Sequence, residues 1–268
     1  MKGTNKSQLA KDIGVSRQLL YYHHKQRTKD WELKNQIEIV LHSHPSYGHK
    51  RLAIQLQVNR KRILRVMKLF GLKPYRKRSR KFKYNKTTRD LSFQNLLPNN
   101  LPEYPNHVWV SDFTHIAFRG KWFYLATILD LYTRQIVGFS VLSNHSNELI
   151  VNALLSAVHH NRPAKILHSD HGSEYASYDY SSICRNLGIK QSMSQPGCPW
   201  ENGYQESFYS QFKIDLGDPD RFKTLGELVY NIYRTIYRYN NTRIHSQLKM
   251  PPALYGRQYY LEPHREVV

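Results

Sequence analysis

Three acidic residues after residue 100 have a spacing that could support metal-dependent chemistry. They are Asp112, Asp170 and Glu206, with 57 residues between the first two and 35 residues between the last two. Carboxylates that are brought together repel one another, and a bound divalent cation can offset that repulsion. We therefore predict that these three residues are the catalytic groups and the metal ligands of one site.

The sequence around each acid favours this interpretation. Asp112 lies inside an apolar strand, where an aspartate without a partner is unfavourable. Asp170 follows a predicted strand end, where open α/β sheets gather ligands, and Gly172 allows a sharp turn. Glu206 lies on a predicted helix, and Lys213 lies two turns further along the same face, so we expect its ammonium beside the carboxylate. The alternative is that these are ordinary surface acids, since residues 101–268 contain 15 of them.

The net charge of +20 is concentrated in one part of the chain. Residues 1–100 contain 24 Lys and Arg against 5 Asp and Glu, whereas residues 101–268 contain 16 against 15. The first part therefore has the charge of a polyanion-binding region, and the second part is nearly neutral. A merely solubilising basic tail is the alternative, but the charges fall on patterned helices. Membrane-surface binding is disfavoured, because no long basic amphipathic helix carries exposed aromatic residues on its other face.

The first predicted helical unit spans residues 5–25. Gly14 breaks an apolar stripe, and Ser16 can cap a second helix that runs from Arg17 to about His23. This spacing is typical of a helix-turn-helix, with Arg17 and Gln18 at the start of the element that would read DNA. Short helix pairs are common, so a purely structural role stays open.

A second helical unit follows, with predicted helices at 31–42, 50–57 and 60–70. The last helix carries a basic outer face that suits entry into the major groove of DNA. A solvated charged face is the alternative, although no acid within this helix forms i,i+4 pairs with the bases. The basic residues of this face are Arg60, Lys61, Arg62, Arg65 and Lys68.

A basic linker, with Arg76, Lys77 and Arg78, is predicted to track phosphates before a proline-rich boundary at 96–105. The pattern then changes to three antiparallel strands (109–118, 122–129, 135–142), followed by alternating helices and strands. This order predicts an α/β fold with a mixed sheet and helices on its faces. The predicted segments are 1–28, 29–72, 73–106, 107–216 and 217–268, the last being helical.

The two cysteines, Cys184 and Cys198, show no disulfide framework or metal-ligand spacing, which fits a reducing cytosol. No apolar run approaches the roughly 20 residues that span a bilayer, so no membrane partner is expected. No secretory signal is visible at the N-terminus. His23 and His24 have no cysteine pair within reach, so a zinc-bound N-terminal domain is disfavoured.

Three motifs carry a family resemblance: Trp109-x-x-Asp112-x-Thr114, Leu167-His168-Ser169-Asp170-x-Gly172-Ser173-x-Tyr175, and Gly197-x-Pro199-x-x-Asn202-x-x-x-Glu206-Ser207-Phe208. They closely resemble the catalytic core of OrfB-type DDE insertion-sequence transposases, which are related to retroviral integrases. The 35-residue gap and the base seven residues after the glutamate also match. The resemblance extends upstream to His44–Arg51 and Lys61–Met67, and downstream to Tyr239–Leu248 and Pro251-Pro252, so it covers about residues 15–256.

The resemblance implies a ribonuclease H-like fold preceded by helix-turn-helix units. It implies metal-dependent cleavage and strand transfer at element ends, with two Mg²⁺ ions for which Mn²⁺ can substitute. Asn202 and Lys213 would contact the DNA. A copy-out, paste-in route through a circular intermediate follows from the same resemblance. So do a bacterial, cytoplasmic, nucleoid-associated location, a homo-oligomer of at least two copies on DNA, and an upstream helix-turn-helix protein or fusion.

Two departures from the family pattern affect residues near the site. The family often has Arg where this chain has His171, and usually has Asp-Asn-Ala where this chain has Glu201-Asn202-Gly203. None of the three proposed metal ligands is altered, so the departures bear on local DNA contacts.

Three other functions compete with a transposase. A repressor would need only residues 1–90, and the intact set of acids argues against it. A ribonuclease H proper would not need so basic an N-terminal region. A tyrosine recombinase is suggested only by the 20 tyrosines, none of which has an obvious Arg-His-Arg setting.

Overall fold

The computed structural model describes residues 6–18, 25–76, 93–195 and 202–261. Its N-terminal part is helical, and the helices pack around a small core that includes Leu33, Ile37, Leu52 and Ile63. The N-terminal helices are α1 (Lys6–Asp12), α2 (Lys25–Ser43), α3 (His49–Gln55) and α4 (Arg60–Leu69).

Local sequence signals set the ends of α4. The Asn59 side chain accepts a hydrogen bond from the Lys61 backbone N–H at 2.8 Å and so caps the first turn. Beyond Phe70 the chain turns at Gly71, whose φ of +66° favours glycine. The predicted helix at 60–70 therefore forms almost as expected.

A five-stranded mixed sheet follows, in the order β3-β2-β1-β4-β5. The first three strands form an antiparallel meander, and β4 and β5 run parallel to β1. This confirms the α/β fold class predicted from the change in periodicity. The strands are β1 (Val108–Phe118), β2 (Lys121–Asp130), β3 (Ile136–Leu142), β4 (Ile166–Ser169) and β5 (Lys190–Met193).

Helices cover both faces of the sheet, because the central strand β1 is apolar on both sides. Val108 and Val110 point into one core, which the helices at 203–216 and 225–241 complete. Trp109 points into the opposite core, which the helices at 147–160 and 178–186 complete. The result is a three-layer sandwich. The helices are α5 (Asn147–His160), α6 (Tyr178–Asn186), α7 (Gly203–Leu216) and α8 (Leu225–Asn241).

The segment after α8 ties the N-terminal helices to the sheet layers. Ile244 is buried in the N-terminal core, and its backbone N–H donates to the Tyr47 hydroxyl at 2.6 Å. Arg243, which is 2% exposed, donates to the Asp215 carboxylate at the end of α7 at 2.8 Å and to the Ser46 hydroxyl at 3.0 Å. The N-terminal helices therefore contact the α7 side of the sandwich.

The structure differs from the sequence predictions in three places. Helix α2 begins six residues before the predicted start at Trp31 and crosses position 28, where we placed a segment boundary. Arg17 and Gln18 form one 3-10 turn, and the rest of their predicted helix lies outside the described residues. A further helix, α9 (Pro252–Leu261), was not identified individually because Pro251-Pro252 was interpreted only as a family motif. None of the described helices has the length and apolar character needed to cross a membrane.

Candidate active site

Strand register places the two aspartates next to each other. β1 and β4 pair in parallel with Val108 opposite Ile166 and Val110 opposite His168. Continuing that register by two residues sets Asp112 opposite Asp170, and neighbouring strands lie about 4.8 Å apart. Because alternate residues share a face, both carboxyl groups point to the face that α7 covers.

A polar network fixes α7, the helix that carries Glu206, against this face. The Gln205 amide donates to the Val110 and Thr127 carbonyls at 2.7 and 3.1 Å, and the Tyr209 hydroxyl donates to the Asp112 carbonyl at 2.6 Å. The Thr127 hydroxyl donates to the Gln205 side-chain oxygen at 3.1 Å. These hydrogen bonds set the height and rotation of α7 on the strands, and therefore the position of Glu206.

The electrostatics of Asp112 show that Asp170 and Glu206 lie close enough to act on its carboxyl group. Burial, and then the charge of Asp170, raise the pKa of Asp112 from an ordinary 3.8 to about 7, and Glu206 adds to the increase. The Phe113 N–H, which donates to Asp112 at 2.8 Å, and the cation of Lys213 oppose the increase. Asp112 therefore lies where an added positive charge would be favourable.

The pKa of Asp170 is also raised, but the charged neighbours that act on it are different ones. Burial raises the pKa of its carboxyl, and the Glu174 carboxylate adds to this. The Gly172 N–H, which donates to Asp170 at 3.2 Å, and His171 act in the opposite direction. His171 stands where the family often has arginine, so a weaker base occupies this place beside the carboxylate.

The donor chemistry fits a hard divalent cation, because all three groups are carboxylates on one face of the sheet. Their arrangement is not closed around an ion, since the described residues contain no group of three or more acid, histidine or cysteine side chains already set as ligands. Asp112 and Asp170 are partly buried, whereas Glu206 is exposed. The exposed Glu206 therefore has more freedom to change rotamer than the two aspartates.

Comparison with protein-family models shows two matches to the integrase core domain, at residues 102–199 and 187–252. The chain is also similar to the transposase of insertion sequence element IS904 from Lactococcus lactis subsp. lactis (strain IL1403). The two are 37% identical over 236 residues, which is 84% of this chain and 92% of the relative. The chain belongs to the insertion-sequence DDE transposases. The transposase InsF of IS3A from Escherichia coli (strain K12) is 30% identical over 75% of this chain and 73% of its own length.

Solved structures agree on the fold. The HTLV-2 integrase catalytic core domain in complex with magnesium matches with a TM-score of 0.51 and 17% identity, covering 58% of this chain and 99% of that one. A simian T-cell lymphotropic virus intasome in complex with a PP2A regulatory subunit matches with a TM-score of 0.55 and 17% identity, covering 85% and 77%. These likenesses confirm the ribonuclease H-like core. With the family membership, the chain is an enzyme of the DNA transposase and integrase class.

The predicted DNA-contacting residues of α4 lie in different environments. Arg60 and Lys61 are exposed. Arg65 forms a 2.5 Å salt bridge with Asp30 of α2, and Arg62 donates to a backbone carbonyl of α2 at 3.3 Å. The absence of acids within α4 therefore does not leave all of its bases free, because the neighbouring helix supplies partners for Arg62 and Arg65.

The other predicted DNA-contacting residues also include both buried and exposed side chains. Asn202 is 5% exposed and its amide donates to the Ser111 carbonyl at 3.4 Å, so it anchors the start of α7 to β1 instead of facing solvent. Lys213 acts electrostatically on Asp112 and on His115. Arg17, Gln18 and Arg76 are exposed, whereas Lys77 and Arg78 lie outside the described residues.

Sequence reasoning missed Gln205 and Tyr209, although both are buried beside the site. Their i,i+4 spacing places them on one helical face, and this was the available signal. A glutamine on the apolar side of a helix next to an acid indicates a polar anchor, because a buried amide requires hydrogen-bond partners.

Proposed function

We propose that Asp112, Asp170 and Glu206 form the catalytic centre and bind two Mg²⁺ ions, for which Mn²⁺ can substitute. The observation that carries this proposal is the register of β1 and β4, which when continued sets Asp112 opposite Asp170. In agreement with it, burial, and then the charges of Asp170 and Glu206, raise the pKa of Asp112 to about 7. A structural surface acid would not be placed on the buried side of a strand facing two further acids. When bound, the ions would supply Lewis-acid activation of the attacking hydroxyl and stabilisation of the leaving oxygen.

The substrate chemistry follows from the family. A water oxygen attacks the phosphorus at an element end, the 3′ oxygen leaves, and the freed 3′-hydroxyl then attacks a phosphodiester at a new site. No covalent protein–DNA intermediate is needed. The cation of Lys213 lowers the pKa of Asp112 and partly offsets the negative potential of the acids, which helps a polyanionic strand approach and orients the DNA end. Gln205 and Tyr209 keep the supporting helix in place.

The finer course of the reaction is also part of the proposal. The resemblance to OrfB-type enzymes supports a copy-out, paste-in route through a circular intermediate. The substrates would be double-stranded terminal repeats and target DNA, bound by the basic helices of the N-terminal part. Joining two ends requires two active sites, which supports at least a dimer on DNA, and the similar viral integrase was solved in an intasome. An upstream helix-turn-helix protein or fusion and a place in the bacterial nucleoid complete the proposal.

A cleavage and joining assay with the full chain tests the metal assignment. The substrate is a duplex from the terminus of the encoding element, with Mg²⁺ added or chelated. We expect Asp170→Asn to abolish both steps while retaining binding to the same duplex. Asp179→Asn, an exposed acid at the start of α6, is the matched control and should keep its activity. Full activity of Asp170→Asn would reject the assignment.

A further inference from the structure

A cavity rich in arginine lies on the far side of α7 from the three acids. It has a volume of about 330 Å³ and lies between α3, α7 and the segment that follows α8. We call it the arginine cavity. The lining residues that matter here are Arg51, Arg134, Tyr204, Gln211, Arg243 and His245.

The cavity has more positive charge than its surroundings neutralise. Among the residues that line it, three are arginines and none is an acid. Arg243 is paired with Asp215 at 2.8 Å, and it also donates to Gln211 at 2.7 Å. Among the described residues, no carboxylate lies within salt-bridge distance of Arg51 or Arg134, and Asp215, which acts on Arg51 from further away, is already paired with Arg243. Two guanidinium groups in a partly buried place therefore lack a direct ion pair.

Several donors in the cavity also lack hydrogen-bond partners. Arg51 Nε, Arg134 Nη1 and His245 Nδ1 are buried atoms without a partner among the described residues. Arg134 lies over the ring of Tyr204, with its guanidinium carbon 4.4 Å from the ring centroid, so its orientation is held. A buried polar atom without a partner is costly, and an anion bound in the cavity would supply the missing acceptor for the arginines.

The pKa values of His245 and Arg51 agree with this interpretation of the charge. Burial, and then the charges of Arg134, Arg51 and Arg243, lower the pKa of His245 to about 4. Burial, and then Arg243, lower the pKa of Arg51 to about 10, so Arg51 stays charged at neutral pH while His245 is neutral. Burial and the three arginines therefore keep His245 unprotonated at neutral pH, and the same positive charge favours a bound anion.

The position of the cavity points to DNA as the source of that anion. A second cavity of about 500 Å³ shares Arg51 and Gln211 with the first and adds Lys50 and the exposed Arg76. Arg76 belongs to the predicted basic linker of residues 73–106. A duplex following this line of bases would present one phosphate after another to them.

We propose that the arginine cavity binds a phosphate group of the DNA backbone, with Arg51 and Arg134 as its charged donors. Phosphate oxygens accept the several N–H groups that guanidinium presents, which matches the unpartnered atoms. The inference rests on the chain's action on DNA but not on the assignment of the three acids. A phosphate held here would lie across α7 from Glu206, since Ser207 and Gln211 are about 100–140° round the helix from it. One strand would then cross the junction between the N-terminal helices and the catalytic sandwich.

A scan with neutral methylphosphonates locates such a contact. The full chain, in EDTA to prevent metal-dependent cleavage, is titrated with a series of duplexes from the element terminus, each with one phosphate neutralised. We expect one position where neutralisation weakens wild-type binding about tenfold, as loss of a charge-assisted hydrogen-bond set does. In Arg134→Gln the same substitution should cost less than about twofold, because the partner has been removed. Arg185→Gln, an exposed arginine of α6, is the control with the same charge change and should keep the tenfold effect.

A second variant guards against a failure of Arg134→Gln to fold. Gln247 is exposed and lines the cavity, so Gln247→Glu adds a carboxylate beside the arginines without changing side-chain length. It should leave the protein folded, weaken binding about tenfold and remove the effect at the same phosphate. Gln258→Glu on α9 supplies the matched control. If no position distinguishes the wild-type chain from both variants, the proposal is overturned.

Free phosphate is the alternative source of the same chemistry. Thermal unfolding is followed with inorganic phosphate and with chloride at equal ionic strength. Stabilisation of the wild-type chain by phosphate, lost in Gln247→Glu but without a position-specific effect in the scan, would assign the cavity to a free anion and reject the DNA backbone.

Discussion

Removing the charge of Asp112 should make the metal-free protein more stable, although it should also remove activity. The carboxyl of Asp112 has its pKa raised to about 7, chiefly by burial and by Asp170. Above that pH the folded protein has to hold an ionised carboxylate beside two other acids. Asp112→Asn removes the charge and keeps a side-chain oxygen that can still accept the Phe113 N–H at 2.8 Å.

The magnitude follows from proton linkage. A pKa of about 7 instead of 3.8 means that the folded state binds the proton more tightly than the unfolded chain. The stability gained from this tighter proton binding is therefore fully present below about pH 4 and is lost as the pH rises to about 7. Above pH 7 the loss no longer changes with pH. At 1.36 kcal/mol for each tenfold change in proton affinity, the limiting cost is about 4 kcal/mol. Asp112 is partly exposed, so solvent screens part of the repulsion, and we expect about 2 kcal/mol.

Urea unfolding at pH 4, 6 and 8 in EDTA measures this cost, with the exposed Asp179→Asn as the control. Asp112→Asn should exceed the wild-type chain by about 2 kcal/mol at pH 8, and the difference should fall toward zero at pH 4. Saturating Mg²⁺ should reverse the order at pH 8, because ligand binding stabilises only the chain that retains the site. Parallel stability curves from pH 4 to pH 8, or no reversal with Mg²⁺, would refute the reasoning about the acids.

Two further substitutions test how the scaffold holds the site. Gly138→Ala should destabilise the fold by about 3 kcal/mol in urea unfolding, because the added Cβ would lie 2.6 Å from the backbone nitrogen of Ala157 in α5. Gly226→Ala in α8, where the nearest atom lies 3.8 Å away, should be neutral or gain up to about 1 kcal/mol, and an equal loss in both variants would contradict this. Gln205→Ala should cost about 3 kcal/mol and also lower strand transfer, because its buried amide holds α7 on β1 and β2, while exposed Gln258→Ala should change neither. Normal strand transfer by Gln205→Ala would show that α7 needs no polar anchor.

The sequence was sufficient to predict the strands and the two aspartates, because both depend on local patterns. The β-branched and aromatic residues of 109–118 identify β1, and the short strand predicted at 165–167 runs into Asp170, although in the structure it spans Ile166–Ser169. The register that aligns Asp112 with Asp170 depends on the pairing of two distant segments. It became available only with the fold, or through the resemblance to the transposase family.

The arginine cavity could not be predicted, because its members belong to three distant parts of the chain. Arg51 lies on α3, Arg134 follows β2, and Arg243 follows α8. Each of them considered alone is an ordinary basic residue. Asp30 illustrates the same point for a charge pair. All the charged residues of α4 are bases, and the acid that binds Arg65 comes from another helix. Charge pairing between elements is a property of packing and is not visible in the spacing along one helix.

The anchoring of α7 explains how the site can hold like charges so close together. Uncharged side chains, Gln205 and Tyr209, join the helix to the strands, so its position does not depend on the ionisation state of the acids. One flank of α7 can then carry Glu206 beside the aspartates, while the other lines the arginine cavity. A helix held by salt bridges to those same acids would shift whenever a cation or a phosphate arrived. A neutral anchor lets both flanks meet charged ligands while the backbone of α7, which carries the proposed ligand Glu206, stays in place on the strands.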